Sequence, residues 1–444
     1  MTDDTRRPAR LIPIYGRGTE AEPRVTSALL SVLTAVDEFG KAILRRHCGA
    51  PAGKISAFTE VSIKMPGGRT ERPDGLVEVR RGNHTWVALV ETKTGPSQLD
   101  KSQVERYLDA ARYRKYDALI TISNQIMPVT GEHPVAVSKK KLGRVKLHHI
   151  SWAALLTEAV MVRHHRGVSD PDQAWILSEL IAYLDNPRSG VMQFKNMGRH
   201  WTKVRAGARA RTLNPGDEGV GDVVARWDEF ARFLSLRLGR RLGSDVQRVL
   251  SRPDRSDPTG RRSRLANTLA RDGVLECTLR VPDAVADITV RADLIARTVS
   301  AGLSIKAPER GRPRTRVNWL VRQLRNEPAG NIQVATAFKS RKPVTKLLAD
   351  LIENPDEALL DDRQIPPREF TLTLARDMRE RGGATARSFV QSVEAVIDEF
   401  YRRVGQNLKA WTPPAPRLPE QSPSPEVEEP ETEASSDSEV ASAP

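Results

Sequence analysis

Cysteine is almost missing from this chain: 444 residues contain two, Cys48 and Cys277, far apart and without the paired spacing of a zinc site. Both are expected to be free, buried thiols in a reducing cytoplasm. No run of about 18 apolar residues occurs, and the opening "MTDDTRRPAR" lacks the apolar stretch of a signal peptide, so neither a membrane span nor export is expected. Phosphate-gripping and acyl-transfer signatures are missing too. There is no GxxxxGK[ST] loop and no GxSxG elbow, and "GRGTEAE" is not a dinucleotide fingerprint. The pairs His148-His149 and His164-His165 have no ligand spacing with other donors and read as ordinary histidines.

Positive charge is plentiful. The net charge is +14, yet the segment 412–444 holds eight acids and one arginine, which leaves +21 on residues 1–411. Such a balance favours a polyanionic partner, nucleic acid above all. The same terminal segment, rich in proline, serine and acid, cannot bury enough apolar surface to offset its ordering entropy, so a disordered tail is expected over 412–444. A second break at "RARTLNPGDEGVGD" divides the folded part. The expected organisation is a first domain over 1–185, a linker over 186–222, a second domain over 223–411, and the tail.

In the first domain, Val25, Leu29, Val32 and Val36 recur at helical spacing behind Pro23, which suits a first turn, and Glu22 stands at the helix start. "AFTEVSIKM", "GLVEVRR" and "TWVALVETK" then read as three strands of a meander. A helix over "SQLDKSQVERYLDAARYRKY" follows, with Leu99, Gln103 and Tyr107 on one side. The strands "DALITIS" and "VKLHHISW" come next, and then the helix "AALLTEAV" with Ser151 as its cap. The second domain opens with a helix burying Val223, Trp227, Phe230 and Leu234. It continues through the strands "VLECTLRV", "TVSAGLSIKA" and "NIQVATAF", with helices around 314–325, 343–353 and 385–404, an α+β pattern. Its stretches "RSDPTGRRSR" and "ERGRPRTR" suit phosphate tracking.

One stretch breaks the rules for a buried strand. The apolar run Trp86 to Val90 leads into Glu91-Thr92-Lys93, and burying unpaired charge is costly. Alternation along a strand places Glu91 and Lys93 on one face, and a short hairpin returns Asp74 beside Glu91. Two converging carboxylates suit Mg²⁺, which keeps waters and phosphate oxygens as its other ligands; the Thr92 carbonyl would add one more, and Mn²⁺ is a second option. A metal there lowers the pKa of bound water, and the Lys93 ammonium orients the nucleophile or steadies the transition state.

At these residues the chain resembles the PD-(D/E)xK nuclease superfamily, with Pro73-Asp74 as the first element and Glu91-Thr92-Lys93 as the second. The resemblance covers roughly residues 20–155 and extends to the order of elements. Gln103 and Tyr107 look like the QxxxY element of RecB-like members, which helps organise the active site, and Glu22 matches the acid that members often add from the first helix. Glu60 competes for that role. The resemblance implies an α/β fold with a restriction-endonuclease-like core, a mixed central sheet flanked by helices, ahead of the α+β domain and tail. It implies a Mg²⁺-dependent nuclease acting on nucleic acid, DNA before RNA, in restriction, repair or defence. The alternative is a non-catalytic nucleic-acid-binding or scaffold protein that keeps the fold. A homodimer or a protein partner through the second domain is left open.

Overall fold

Helix α1 (Ala21–Ala35) forms where expected, and Val25, Leu29, Val32 and Val36 are fully buried, each contributing about 1.5–3 kcal/mol of apolar burial. The structure, a computed structural model, describes residues 7–8, 21–191, 194–328, 330–362, 364–378 and 388–413. The acidic tail expected over 412–444 lies outside them from residue 414 onward, as do residues 385–387 of the last expected helix.

Six strands make the first sheet: β1 (Arg7–Pro8), β2 (Lys54–Thr59), β3 (Gly75–Arg81), β4 (His84–Thr92), β5 (Ala118–Ser123) and β6 (Lys146–Ser151), hydrogen-bonded in that order. Neighbours from β1 to β4 are antiparallel, whereas β4, β5 and β6 run parallel. A parallel partner needs a crossover. Helix α2 (Lys101–Tyr113), capped by the Asp100 carboxylate on the Gln103 amide, supplies it between β4 and β5. Leu76, Leu89 and Leu119 pack with Val104, Tyr107 and Leu108 of α2, while Val77, Val90 and Ile120 pack on the other face with α1, α3 (Trp152–Met161) and α4 (Pro171–Asp185). The sheet is thus mixed and covered by helices on both faces.

One strand expectation needs correcting. "AFTEVSIKM" does not continue as a single strand, because β2 ends at Thr59 and Glu60 adopts a left-handed φ of 53°. Beyond it Ile63–Lys64 pairs with Thr70–Glu71, which lets Val61 and Ile63 join the cluster under α2.

The segment expected as a linker, 186–222, is built into the fold. It carries helix α5 (Trp201–Ala210) and buries Phe194, Met197, Val204, Ala208 and Val220 in the second core, beside Ile126 from the first half. Helix α6 (Glu218–Leu242) follows, with Val223, Trp227, Phe230 and Leu234 buried. Seven strands then form an antiparallel sheet: β7 (Gln247–Val249), β8 (Val274–Arg280), β9 (Ile288–Asp293), β10 (Thr298–Lys306), β11 (Ile332–Phe338), β12 (Arg341–Leu347) and β13 (Glu369–Asp377), in spatial order β12-β11-β13-β10-β9-β8-β7. The helix expected over 343–353 is only Leu348–Glu353; before it, Pro343 resists a helical interior and the chain pairs with β11 instead. Both halves belong to one unit that runs to Ala410. Cys48 and Cys277 are free and buried, and among the described residues no helix is long and apolar enough to cross a membrane.

Candidate active site

The end of the first sheet gathers five of the expected residues, Glu22, Asp74, Glu91, Thr92 and Lys93. Gly75 of β3 pairs with Val90 of β4, so Asp74 and Glu91 follow at neighbouring strand ends. Asp74 is held from β4: its Oδ2 accepts from the Thr92 amide at 2.7 Å and from the Thr92 hydroxyl at 2.9 Å. Thr92 therefore enters the site through its amide and hydroxyl, both on Asp74. Its Oγ1 also lies 2.6 Å from Oγ1 of Thr26, which donates to the Glu22 carbonyl at 2.7 Å and so ties α1 to the strand end.

Lys93 Nζ donates to Glu91 Oε1 at 2.6 Å and to Glu22 Oε1 at 3.2 Å. The other Glu22 oxygen accepts from the Thr94 amide at 3.1 Å. Of the two acids considered for the added role, Glu22 is the one that reaches Lys93; Glu60 is exposed just past β2. The Lys93 backbone is fixed at both ends, its amide donating to Ile122 of β5 at 2.8 Å and its carbonyl accepting from the Trp152 indole of α3 at 2.9 Å. Gln103 and Tyr107 also meet: the Gln103 amide donates to the Tyr107 hydroxyl at 3.3 Å, which donates to the Arg72 carbonyl at 2.8 Å, two residues before Asp74. Together they tether the backbone just before Asp74 to α2.

Electrostatics separate the groups. Burial, then the charge of Asp74, pushes the Glu91 carboxyl up to about 8 against the pull of Lys93. Burial likewise raises Asp74 despite its Thr92 hydrogen bonds. Burial pulls the Lys93 ammonium down, but Glu91, Asp74 and Glu22 outweigh it and hold the group above the ordinary lysine value. Tyr107 is pushed up to about 12 by burial and by Glu91, so it stays a neutral donor.

The donor set fits a hard divalent cation in one specific respect. Glu91 is 1% exposed, and its Oε2 is buried with no hydrogen-bond partner. An orphaned carboxylate oxygen beside a second, repelling carboxylate is costly until a cation takes it. Among the described residues no group of three or more acid, histidine or cysteine donors forms a preassembled metal cluster. Lys93 is the cation that Glu22 and Glu91 share here, and Mg²⁺ needs only one or two protein carboxylates.

Sequence reasoning missed Thr26 and Trp152. Thr26 lies one helical turn beyond Glu22, a spacing that could have flagged it. Trp152 lies 59 residues from Lys93 and carries no local signal. No protein-family model, curated protein or solved structure matches this chain.

Proposed function

We propose that this chain is a Mg²⁺-dependent nuclease that hydrolyses phosphodiester bonds of DNA, built on a restriction-endonuclease-like core. The observation that carries the reading is the convergence of Glu22, Asp74, Glu91 and Lys93 on one strand end, with a buried Glu91 oxygen left without a partner. The order of helix, antiparallel meander, crossing helix and parallel strand supports it, and the charge of +21 over residues 1–411 suits a phosphate backbone.

Asp74 and Glu91, with the Thr92 carbonyl, would hold the metal, and Mn²⁺ would suit the same oxygens. When bound, the cation supplies Lewis acidity at the phosphoryl oxygen and a water of lowered pKa. Lys93, kept cationic by its acidic neighbours, faces the negative charge that develops as the water oxygen bonds to phosphorus and the ester oxygen departs with a proton. Glu22 holds the ammonium in place, and Thr92 and Tyr107 fix Asp74 and the chain before it.

End-labelled single-stranded, duplex and branched DNA, incubated with Mg²⁺, Mn²⁺ or EDTA, tests this. Cleavage should require metal and vanish in Asp74→Ala and Glu91→Ala at unchanged circular dichroism; wild-type rates in both variants would show the site assignment to be wrong. A second reading, a non-catalytic nucleic-acid-binding protein, draws on the way Lys93 already pairs with one oxygen each of Glu22 and Glu91. Salt-dependent DNA binding without metal-dependent cutting would favour it.

A further inference from the structure

Outside the residues of that strand end, a half-open cavity of about 430 Å³ lies between α3 and α6, with Arg46, residues 128–130 and the turns that follow each helix at its rim. Its charged lining is lopsided, with Arg46, Arg166, Arg232, Arg248 and Arg255 against the carboxylates of Glu158 and Asp245. Met161, Leu236, Val246 and Leu250 make an apolar part of the wall. Both halves of the chain contribute.

Four of the arginines have partners. Arg166 and Arg46 share Glu158, Arg46 also reaches Asp245 at 2.6 Å, Arg248 pairs with the buried Asp228 behind the wall, and Arg255 donates to the Leu250 carbonyl. Arg232 does not pair. Its one hydrogen bond runs from Nη1 to the Ser235 hydroxyl on the same helix at 3.3 Å, and among the described residues no carboxylate stands within ion-pair distance. Burial lowers its pKa; Asp245 pulls it back up, and the cations Arg248 and Arg46 lower it again. A partly buried guanidinium among other guanidiniums, lining a half-open cavity and matched by no carboxylate, is suited to an anion. The guanidinium fork matches phosphate oxygens in pairs.

We propose that this cavity binds a small organic oligophosphate, of the nucleoside di- or triphosphate class, with phosphate oxygens on Arg232 and its neighbours and the remainder against Met161, Leu236 and Val246. Two of the lining arginines, Arg232 and Arg255, have no carboxylate to match them, which calls for a ligand of more than one negative charge. The volume falls in the range of about 300–1,000 Å³ that small-molecule sites occupy, and it admits one such molecule, not a duplex. Because the walls come from both halves, the bound ligand stabilises their packing, so the melting temperature rises with ligand concentration.

Calorimetric titration of the full chain with ATP, ADP, pyrophosphate and inorganic phosphate, in EDTA, tests this, with thermal melts alongside. Oligophosphates should bind with a dissociation constant of about 100 μM or lower, more tightly than inorganic phosphate, and raise the melting temperature. Arg232→Gln should weaken binding about tenfold or more, the exposed Arg255→Gln by a smaller factor, and Glu91→Gln, which lies outside the lining, should leave it unchanged. Should Arg232→Gln fail to fold, Arg255→Gln carries the test. No binding by the wild-type chain, wild-type affinity in folded Arg232→Gln and Arg255→Gln, or stoichiometric displacement of ATP by a short DNA duplex would each overturn the assignment.

Discussion

Replacing Glu91 with glutamine removes a proton-binding group while keeping the side chain's shape, and the structure sets the size of the effect. Burial and Asp74 push the folded Glu91 carboxyl up to about 8, against an ordinary glutamate value of 4.5. Between those values the native state keeps a proton that the unfolded chain has released. The stability this group contributes is therefore fully present below about pH 4.5 and lost as pH rises through about 8. Lys93, raised above its ordinary value, is charged in both states across that window and adds no slope of its own. Each unit is worth about 1.4 kcal/mol, so between pH 5.5 and 8.5 the wild type should lose roughly 3 kcal/mol more than Glu91→Gln. Urea unfolding of both proteins in EDTA at pH 5.5, 7.0 and 8.5 measures this. Mg²⁺ in place of EDTA should recover the stability that the wild type loses at pH 8.5 and should stabilise the variant far less. Parallel pH curves would refute the claim that Glu91 is the buried, proton-holding acid.

Lys93→Ala should cut turnover severely while metal affinity, read by calorimetry, stays at or above wild type, because removing the ammonium leaves the acids more negative; a loss of affinity as large as in Glu91→Ala would reverse that assignment. Asp228→Ala should cost about 3–5 kcal/mol in chemical denaturation, since it strands the buried guanidiniums of Arg261, bonded to it at 2.8 and 3.0 Å, and Arg248; a loss under about 1 kcal/mol would deny the cluster a structural role. Deleting 412–444 removes a charge of −7 and should tighten DNA binding at low salt, as read by fluorescence anisotropy; unchanged affinity would show that the tail does not act on the basic surface.

The legible parts of the sequence were those in which one periodicity ran unbroken. The α1 positions Val25, Leu29, Val32 and Val36, the strand ending in Glu91, and the Ser151 cap on the Ala154 amide all follow local rules and stand where those rules place them. Local rules failed where distant contacts decide. Nothing near Glu60 says that the chain leaves the sheet there to bury Ile63; and of the residues that marked a boundary, Asn214-Pro215-Gly216 forms a turn between α5 and α6 while Gly219 and Gly221 lie inside α6, both helices being packed into the second core. The strand β13 went unread although Phe370, Leu372 and Leu374 alternate, and it joins β10 to β11 at the centre of its sheet. At the site, Asp74, Glu91 and Lys93 were readable from strand geometry, whereas the Trp152 indole on the Lys93 carbonyl depends on a packing partner 59 residues away.

A strand that ends in Glu-Thr-Lys is a poor choice for stability alone, since an aliphatic residue at Glu91 would bury without desolvating a charge. The cost is not cancelled within the chain. Lys93 satisfies one Glu91 oxygen and leaves the other bare, and it is itself divided between Glu91 and Glu22. Were the pairing purely structural, both oxygens of so deeply buried a carboxylate should have found donors, as the Glu22 oxygens do in Lys93 and Thr94. The incomplete satisfaction falls at an acid that Asp74 repels, where a divalent cation would gain from both carboxylates at once. Under the proposed function, Lys93 then serves as a stand-in cation in the metal-free chain. With a metal held by Glu91, that acid would hold the ammonium less tightly, and Lys93, still anchored through Glu22, would be free to meet the charge on a scissile phosphate.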